Sequence, residues 1–382
     1  MPAKTFCEFF AGVGLVGEGL RPGGWSCVYA NDCDAHKRVM FRARGGNDAA
    51  FHLGDVHDTA SVVARIPERP LLATASFPCT DLSLAGNFRG FAGKESSTFF
   101  GFAAALDALR ERRPPLVMLE NVLGFLSARN GDDFRAVAGT LAGLGYALDA
   151  FVLDAAWFTP QSRPRVFVVG TMEHRSAAKY GLGSSSRSPS GGRRSQATLL
   201  SGEAASPLRP PRLAALIEST PLPTGWRLRN LPAPPERTLR LVDCLDVDDA
   251  QEWWSAKETA RHEAMLSDLH KRRVAEHLAA GEPFVATGFR RIRAEVQRLE
   301  LRFDGLAGCL RTPRGGSARQ IVAAGVDGRL RLRWMTPREY ARLQGAADPV
   351  LDLPTSRQLW GYADAVCVPA IAWIDRMVLS PL

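Results

Sequence analysis

Two stretches of this chain end in side chains that can do chemistry. Phe77-Pro78-Cys79 closes the apolar run PLLATASF, and Glu120-Asn121-Val122 closes the run PLVMLENV. An ionised thiol is a nucleophile and a carboxyl beside it can supply a proton, so together they offer acid-assisted covalent catalysis. A lone cysteine is usually plain packing, and Cys7, Cys27 and Cys244 are read that way. Cys79 differs: it follows a proline at a strand end and precedes a loop, 80–98, that carries Gly86, Gly90 and Gly93.

A third feature is FFAGVGLVGEG, which holds Gly12-x-Gly14-x-x-Gly17, a turn that lets a ligand approach the backbone closely. Asp32 lies 20 residues past Gly12 at the end of the second strand-like run, where an acid binds ribose hydroxyls. Asp55, in LGDV, stands where an adenine edge would be met. The glycines alone fit any strand-to-helix turn. With the two acids they predict a nucleoside-containing cofactor, either NAD or S-adenosylmethionine.

For these residues to meet, the chain must build a sheet whose strand ends share one crevice. From residue 5 to about 171, seven apolar runs from TFCEFFA to RVFVVGT alternate with amphipathic stretches such as DAHKRVMFRAR and TFFGFAAALDALRERR. This predicts an α/β fold, Rossmann-like, with a mostly parallel sheet and helices on both faces. Ligands of such sheets bind beyond the carboxyl ends of the strands. After Gly170 the periodicity becomes irregular, with proline clusters, and GLGSSSRSPSGGRRSQ (181–196) reads as a mobile loop. MTPREYARLQG starts a new helix, with Thr336 as N-cap and Pro337 in its first turn. The expected division is 1–171 with 334–382 as one domain, and 172–333 as a smaller, irregular one.

Composition narrows the class. The chain has 382 residues, 46% hydrophobic and 23% charged, as a soluble globular protein does. Its net charge is +8, and residues 172–335 hold 27 Lys and Arg against 18 Asp and Glu, so the whole excess sits there. A basic segment on a near-neutral body fits a polyanion, most commonly nucleic acid, although a solvated arginine face would look the same. Seven cysteines without a C-x-x-C pair argue against zinc, and no metal is expected. The start of the chain has no secretory pattern and no apolar run is long enough for a membrane span. The expectation is a cytoplasmic protein with reduced thiols and no membrane partner.

In order along the chain, FFAGVG, NDCD, GDV, FPCTDLS, LENV, QSRPRVFVVG, MTPREYARLQG and GYADAVCVP resemble the motifs of the bacterial DNA (cytosine-5) methyltransferases. The likeness covers roughly 5–171 and 308–378. It implies that S-adenosylmethionine is the donor and S-adenosylhomocysteine the product. Phe10, Gly12, Gly14, Asp32, Asp55, Val56, Pro78, Asp364 and Val366 would hold it. Carbon 5 of cytosine is a poor nucleophile; a thiolate added at C6 turns the ring into an enamine that can take a methyl group. By the resemblance Cys79 is that thiolate, and Glu120 protonates N3, a role that asks for a carboxyl kept neutral by burial. Arg165 would contact the cytosine O2, with Arg163 supporting the site.

The same resemblance implies double-stranded DNA as substrate, with the base swung out of the helix and loop 80–98 closing over it. Ser83, Arg290, Arg291, Arg293, Arg311 and Thr312 are the candidate nucleic-acid contacts, in a region 172–333 that would read the target. A monomer, working beside a restriction endonuclease encoded nearby or in a related DNA-marking role, is the expected setting. Thr80, Glu95 and Asp364 depart from the residues usual in the family. The rival is a tRNA cytosine-5 methyltransferase, whose Pro-Pro-Cys-Gln and Cys-Phe-Thr motifs are absent.

Overall fold

A computed structural model of the chain describes residues 3–67, 69–78, 98–172, 206–248, 251–281, 283–312, 317–347 and 351–382. It divides into two compact units: Met1–Leu153, Pro164–Pro234 and Ile371–Leu382 form the first, Asp154–Arg163 and Pro235–Ala370 the second.

The first unit is built on seven strands: Thr5–Phe9 (β1), Ser26–Asp32 (β2), Phe51–Leu53 (β3), Leu72–Ala75 (β4), Leu116–Val122 (β5), Tyr146–Asp154 (β6) and Pro164–Met172 (β7). Each falls on one of the predicted apolar runs. Their order is β3-β2-β1-β4-β5-β7-β6; the β1–β2, β1–β4, β2–β3 and β4–β5 pairs are parallel and β5–β7 is antiparallel. Because side chains alternate across a strand, Cys7, Phe9, Ala73, Ala75, Val117 and Leu119 share one face. That face packs with Val62, Phe99, Phe102, Phe134 and Val137 into the main core. They come from Thr59–Arg65 (α1), Thr98–Ala108 (α2) and Asp132–Gly143 (α3). The opposite face carries Phe6 and Glu8 under the short helix Leu15–Leu20, where Gly17 leaves just enough room for both side chains. Helices therefore cover both faces, as the alternation predicts. The chain end returns to this unit, Asp375 accepting a hydrogen bond from Trp25 Nε1 at 2.8 Å.

The second unit is more regular than the sequence implies. Phe284–Arg293 (β8), Val296–Arg302 (β9), Ile321–Val326 (β10) and Arg329–Trp334 (β11) form an antiparallel sheet in the order β11-β10-β8-β9. Its inner face packs Ala286, Leu299, Leu301, Ile321 and Leu332 against Leu266 and Val274, the latter from Asp268–Ala279 (α4). Thr336 caps Pro337–Leu343 (α5) in a capping box with Glu339, in accord with the expected start there. The Glu339 carboxylate also binds the buried Arg333 guanidinium, Nη1 to Oε2 at 2.8 Å, so β11 and α5 are locked together.

Candidate active site

The glycine turn leaves β1 through three left-handed residues: Phe10 at φ 55°, Gly12 at 55° and Gly14 at 80°. A side chain is strained there, so Phe10, which is not glycine, is held by its surroundings. Gly12 and Gly14 serve different needs. A Cβ on Gly14 would lie 2.7 Å from the Phe41 ring, so that glycine lets the turn pack. A Cβ on Gly12 would meet nothing nearer than the Phe10 carbonyl at 3.9 Å, so the backbone there keeps open ground.

Asp32 ties the turn to the end of β2. One carboxylate oxygen accepts the Gly12 N–H at 3.0 Å, the other the Asp34 N–H at 2.9 Å, and Lys37 Nζ lies 3.9 Å away. Asn31 donates to the His52 and Gly54 carbonyls at 3.1 and 3.0 Å, which laces β2 to β3. Just beyond β3, Asp55 is exposed and accepts the His57 N–H at 2.9 Å, while Val56 is buried. Phe10, Gly12, Gly14, Asp32, Asp55 and Val56 thus gather at the carboxyl ends of β1 to β3. The donor set suits an adenosine-bearing cofactor: a carboxylate with lone pairs left for ribose hydroxyls, open backbone, and an apolar residue beside an acid.

A second cluster lies at the ends of β4, β5 and β7. Glu120 is only 8% exposed, and Arg165 Nε stands 2.8 Å from its Oε1. The register explains the pair: Arg165 faces Val122 and Glu120 faces Phe167, so acid and base are diagonal neighbours on one face, within reach of a long side chain. Arg165, expected on the cytosine O2, therefore has the Glu120 carboxylate as partner. Asn121, to which the sequence assigns no role, donates from Nδ2 to the Phe77 carbonyl at 3.2 Å. Its Oδ1 accepts its neighbour Val122 N–H at 2.8 Å. The side chain thus fixes the backbone that leads into Pro78, which is exposed, against the strand carrying Glu120. Cys79 and Ser83, like loop 80–97 and the stretch 181–196, lie outside the described residues.

Cys7, Cys27, Cys244 and Cys367 behave as packing groups. Burial pushes Cys7 and Cys27 far up from the ordinary thiol range, and lifts Cys244 and Cys367 to about 11. Cys33 is exposed but is also raised, by desolvation and by Asp32. Such thiols stay protonated and unreactive near neutrality.

The remaining predicted residues belong to the second unit. Arg163 is 3% exposed and gives its guanidinium to backbone carbonyls, Leu310 at 3.1 Å, Ala363 at 2.9 Å and Ala365 at 2.7 Å. It holds together the segments around 310 and 364, a framework role. Gln161, buried two residues before it, donates to the Leu343 carbonyl at 2.8 Å and accepts the Leu310 N–H at 3.3 Å; it sits in the polar run FTPQSRPR, so the sequence offered no signal for it. Val366 is buried and Asp364 exposed, at the end of Thr355–Asp364 (α6). Arg311 is exposed and Thr312 half-buried. Arg291 and Arg293 share Glu300, at 3.3 and 2.7 Å, and Arg290 lies over the Trp334 ring at 5.0 Å. Among the described residues no group of three His, Cys, Asp or Glu is placed to hold a metal ion, and no helix is long and apolar enough to cross a membrane.

With this geometry in hand, comparisons with known proteins agree on a family. The profile of the C-5 cytosine-specific DNA methylases matches residues 4–371. Type II methyltransferase M.HhaI of Haemophilus parahaemolyticus is 31% identical over 165 residues, 43% of this chain and 48% of that one. M.BsuFI of Bacillus subtilis is 31% identical over 167 residues, 44% and 39% of the two chains. The matches span about half the length of these curated relatives or less. Among solved structures, S. pombe Dnmt2 methyltransferase aligns over 99% of this chain and 98% of its own, at TM-score 0.56 and 15% identity. A putative DNA modification methyltransferase from an E. coli prophage aligns over 98% of both chains, at 0.53 and 14%. These two share the fold.

Proposed function

Because this chain belongs to the family of C-5 cytosine-specific DNA methylases, we propose that it methylates carbon 5 of a cytosine flipped out of duplex DNA. The observation that carries the reading is the second cluster: Glu120 oriented by Arg165, on a strand whose Asn121 grips the backbone entering Pro78-Cys79. Members of the family draw the methyl group from S-adenosylmethionine, which supplies an electrophilic sulfonium carbon. The residues at the ends of β1 to β3, with Pro78, Asp364 and Val366, are its proposed holders.

Cys79 Sγ adds to C6 of the ring, and Glu120 gives a proton to N3 so that electron density collects at C5. Arg165 keeps the Glu120 carboxyl aimed and balances charge as the ring takes it up. After transfer a base removes the C5 proton, the C6–S bond breaks to return the thiolate, and N3 hands its proton back to Glu120. Arg163 supports the site through its framework role, holding the segments around 310 and 364 together. Residues 1–171 and 334–382 form the catalytic domain in this reading, and 172–333 the part that reads the target. The setting is a restriction–modification system or a related DNA mark, with a nearby endonuclease as partner.

The test offers labelled S-adenosylmethionine with duplex DNA in one arm and tRNA in the other. Label is expected in DNA; label confined to tRNA sinks the reading. Duplex containing 5-fluorocytosine should yield a denaturant-resistant adduct, since fluorine cannot leave as a proton does. A Cys79→Ala variant that still methylates removes the covalent step.

A further inference from the structure

Strand β8 runs past the sheet it belongs to. Its first half pairs with β10, and the last of those pairs is Gly288 with Ile321. From Phe289 onward β8 pairs with β9 alone, through Phe289–Glu300, Arg290–Leu299, Arg291–Arg298, Ile292–Gln297 and Arg293–Val296. A two-stranded ribbon therefore leaves the sheet and turns at Ala294-Glu295. Such a ribbon is marginal by itself, and this one is anchored at its foot, where the fully buried Leu299 bridges to Leu266. Residues directly opposite share a face, so the tip has two unlike sides. One side carries Arg291, Arg293 and Glu300, with Arg298 and Val296. The other carries Ile292 and Gln297. Ile292 is 71% exposed, more than any other large apolar residue described. Gln297 is exposed beside it, and its amide has no hydrogen-bond partner among the described residues.

Charge, shape and width indicate what covers this pair. Ile292 and Val296 lie on opposite faces, so they form no contiguous apolar patch for a second copy of the chain. Residues 289–300 hold four arginines against two glutamates, which favours a polyanion. Two paired strands lie about 5 Å apart, so with side chains they fit the major groove of DNA, about 12 Å wide, and not the minor groove, about 6 Å wide. We propose that the β8–β9 tip enters the major groove and selects an A·T-containing site. Gln297 Oε1 accepts the adenine N6–H and its Nε2 donates to N7, while Ile292 covers the methyl group of a neighbouring thymine. The arginine face then turns outward, toward the flanking phosphates. This inference rests on the reading that the protein acts on duplex DNA, and adds which two side chains choose the sequence.

The test incubates the full chain with a duplex library randomised around a cytosine and sequences the bound fraction for wild type, Gln297→Ala and Ile292→Ala. Both positions are exposed, so the variants are expected to fold, and thermal unfolding checks it. Wild type should enrich an A·T pair at one position, and Gln297→Ala should cut that preference about 10–100-fold while other positions keep theirs. Two base analogues then test each contact alone on the selected duplex. Deoxyuridine in place of thymine should weaken wild type about fourfold, the worth of one buried methyl group, and leave Ile292→Ala indifferent. Deoxy-7-deazaadenosine, which lacks the N7 acceptor, should weaken wild type and leave Gln297→Ala indifferent. One sequence profile shared by wild type and Gln297→Ala, or equal responses of wild type and variants to the analogues, overturns the proposal even if wild type methylates DNA. If the profile changes as stated but no methyl group reaches DNA, the enzymatic reading fails and the groove contact stands. Sedimentation of the free protein covers the remaining occupant. A wild-type dimer that Ile292→Ala dissolves, with the sequence profile unaltered, would assign the tip to a second copy and overturn the proposal.

Discussion

Two arginine–carboxylate contacts make the clearest contrast in this molecule. Arg165 and Glu120 join β7 to β5, with side chains 13% and 10% exposed; Arg293 and Glu300 join β8 to β9, with 61% and 31%. Both bridge antiparallel neighbours and both are short, at 2.8 and 2.7 Å. Only their access to water differs. Taking charges out of water costs several kcal/mol and seldom improves on apolar packing, so the first pair needs a reason beyond stability. An exposed pair contributes little in either direction, so the second leaves β8–β9 free to act through its charge. Burial alone does not mark chemistry, since the more deeply buried Arg333–Glu339 pair only joins β11 to α5; what sets Arg165–Glu120 apart is burial together with its place at a strand end beside the backbone leading into Pro78.

The largest effect that would sharpen this contrast is on turnover. Glu120→Gln keeps the shape but cannot donate a carboxyl proton, so methyl transfer should fall by about 10²–10⁴-fold with DNA binding retained. Single-turnover transfer beside a binding titration reads both; unchanged transfer would remove the acid from the mechanism. Next comes Arg165→Ala, which strands a buried carboxylate. It should lower unfolding free energy by about 3 kcal/mol, as removal of one partner from a buried pair does. Denaturant unfolding checks it, and a loss too small to measure would remove this ion pair from what holds β5 to β7.

Another carboxylate of the first unit tests burial without a guanidinium. Glu8 is 2% exposed beneath the helix Leu15–Leu20, and burial pushes its pKa up from 4.5 to about 8 against the opposing Gly17 and Val16 N–H groups. The folded form holds a proton that the unfolded chain releases, so stability should fall as pH rises from about 4.5 to 8. The slope there would reach at most about 1.4 kcal/mol per pH unit. Unfolding titrations at several pH values should show this decline, and Glu8→Gln should flatten it. Equal pH slopes for wild type and Glu8→Gln would contradict the burial of Glu8.

The same contrast governs what the sequence discloses. All seven strands of the first unit are visible because each is a largely buried apolar run that leads into a glycine, a proline or an acid. Their carboxyl ends therefore announce Asp32, Asp55 and Glu120. The contact between Arg165 and Glu120 is invisible, since it depends on the antiparallel register of β5 and β7. The β8–β9 hairpin is missed for a different reason. Its turn is Ala294-Glu295, with φ of 45° and 64°, a conformation normally marked by Asn-Gly or Asp-Gly. Its outer half buries nothing, so no alternation appears. The β10–β11 hairpin turns on Asp327-Gly328, both at positive φ, and that signal was there to be read.

The smallest effect belongs to the exposed pair. Arg293→Ala should leave the unfolding temperature where it is, because water already satisfies both partners and side-chain entropy offsets the attraction. It also releases Glu300, whose carboxyl pKa is held low chiefly by the Arg293 hydrogen bond and which then keeps Arg291 alone. If Arg293 meets a DNA phosphate, the salt slope of binding should fall by about 0.9, and Glu300→Ala should instead strengthen binding by freeing both guanidiniums. A measurable stability loss in Arg293→Ala would erase the distinction between the two pairs. An unchanged salt slope in both variants would make the hairpin a solvated face, leaving DNA contact to other arginines of the second unit.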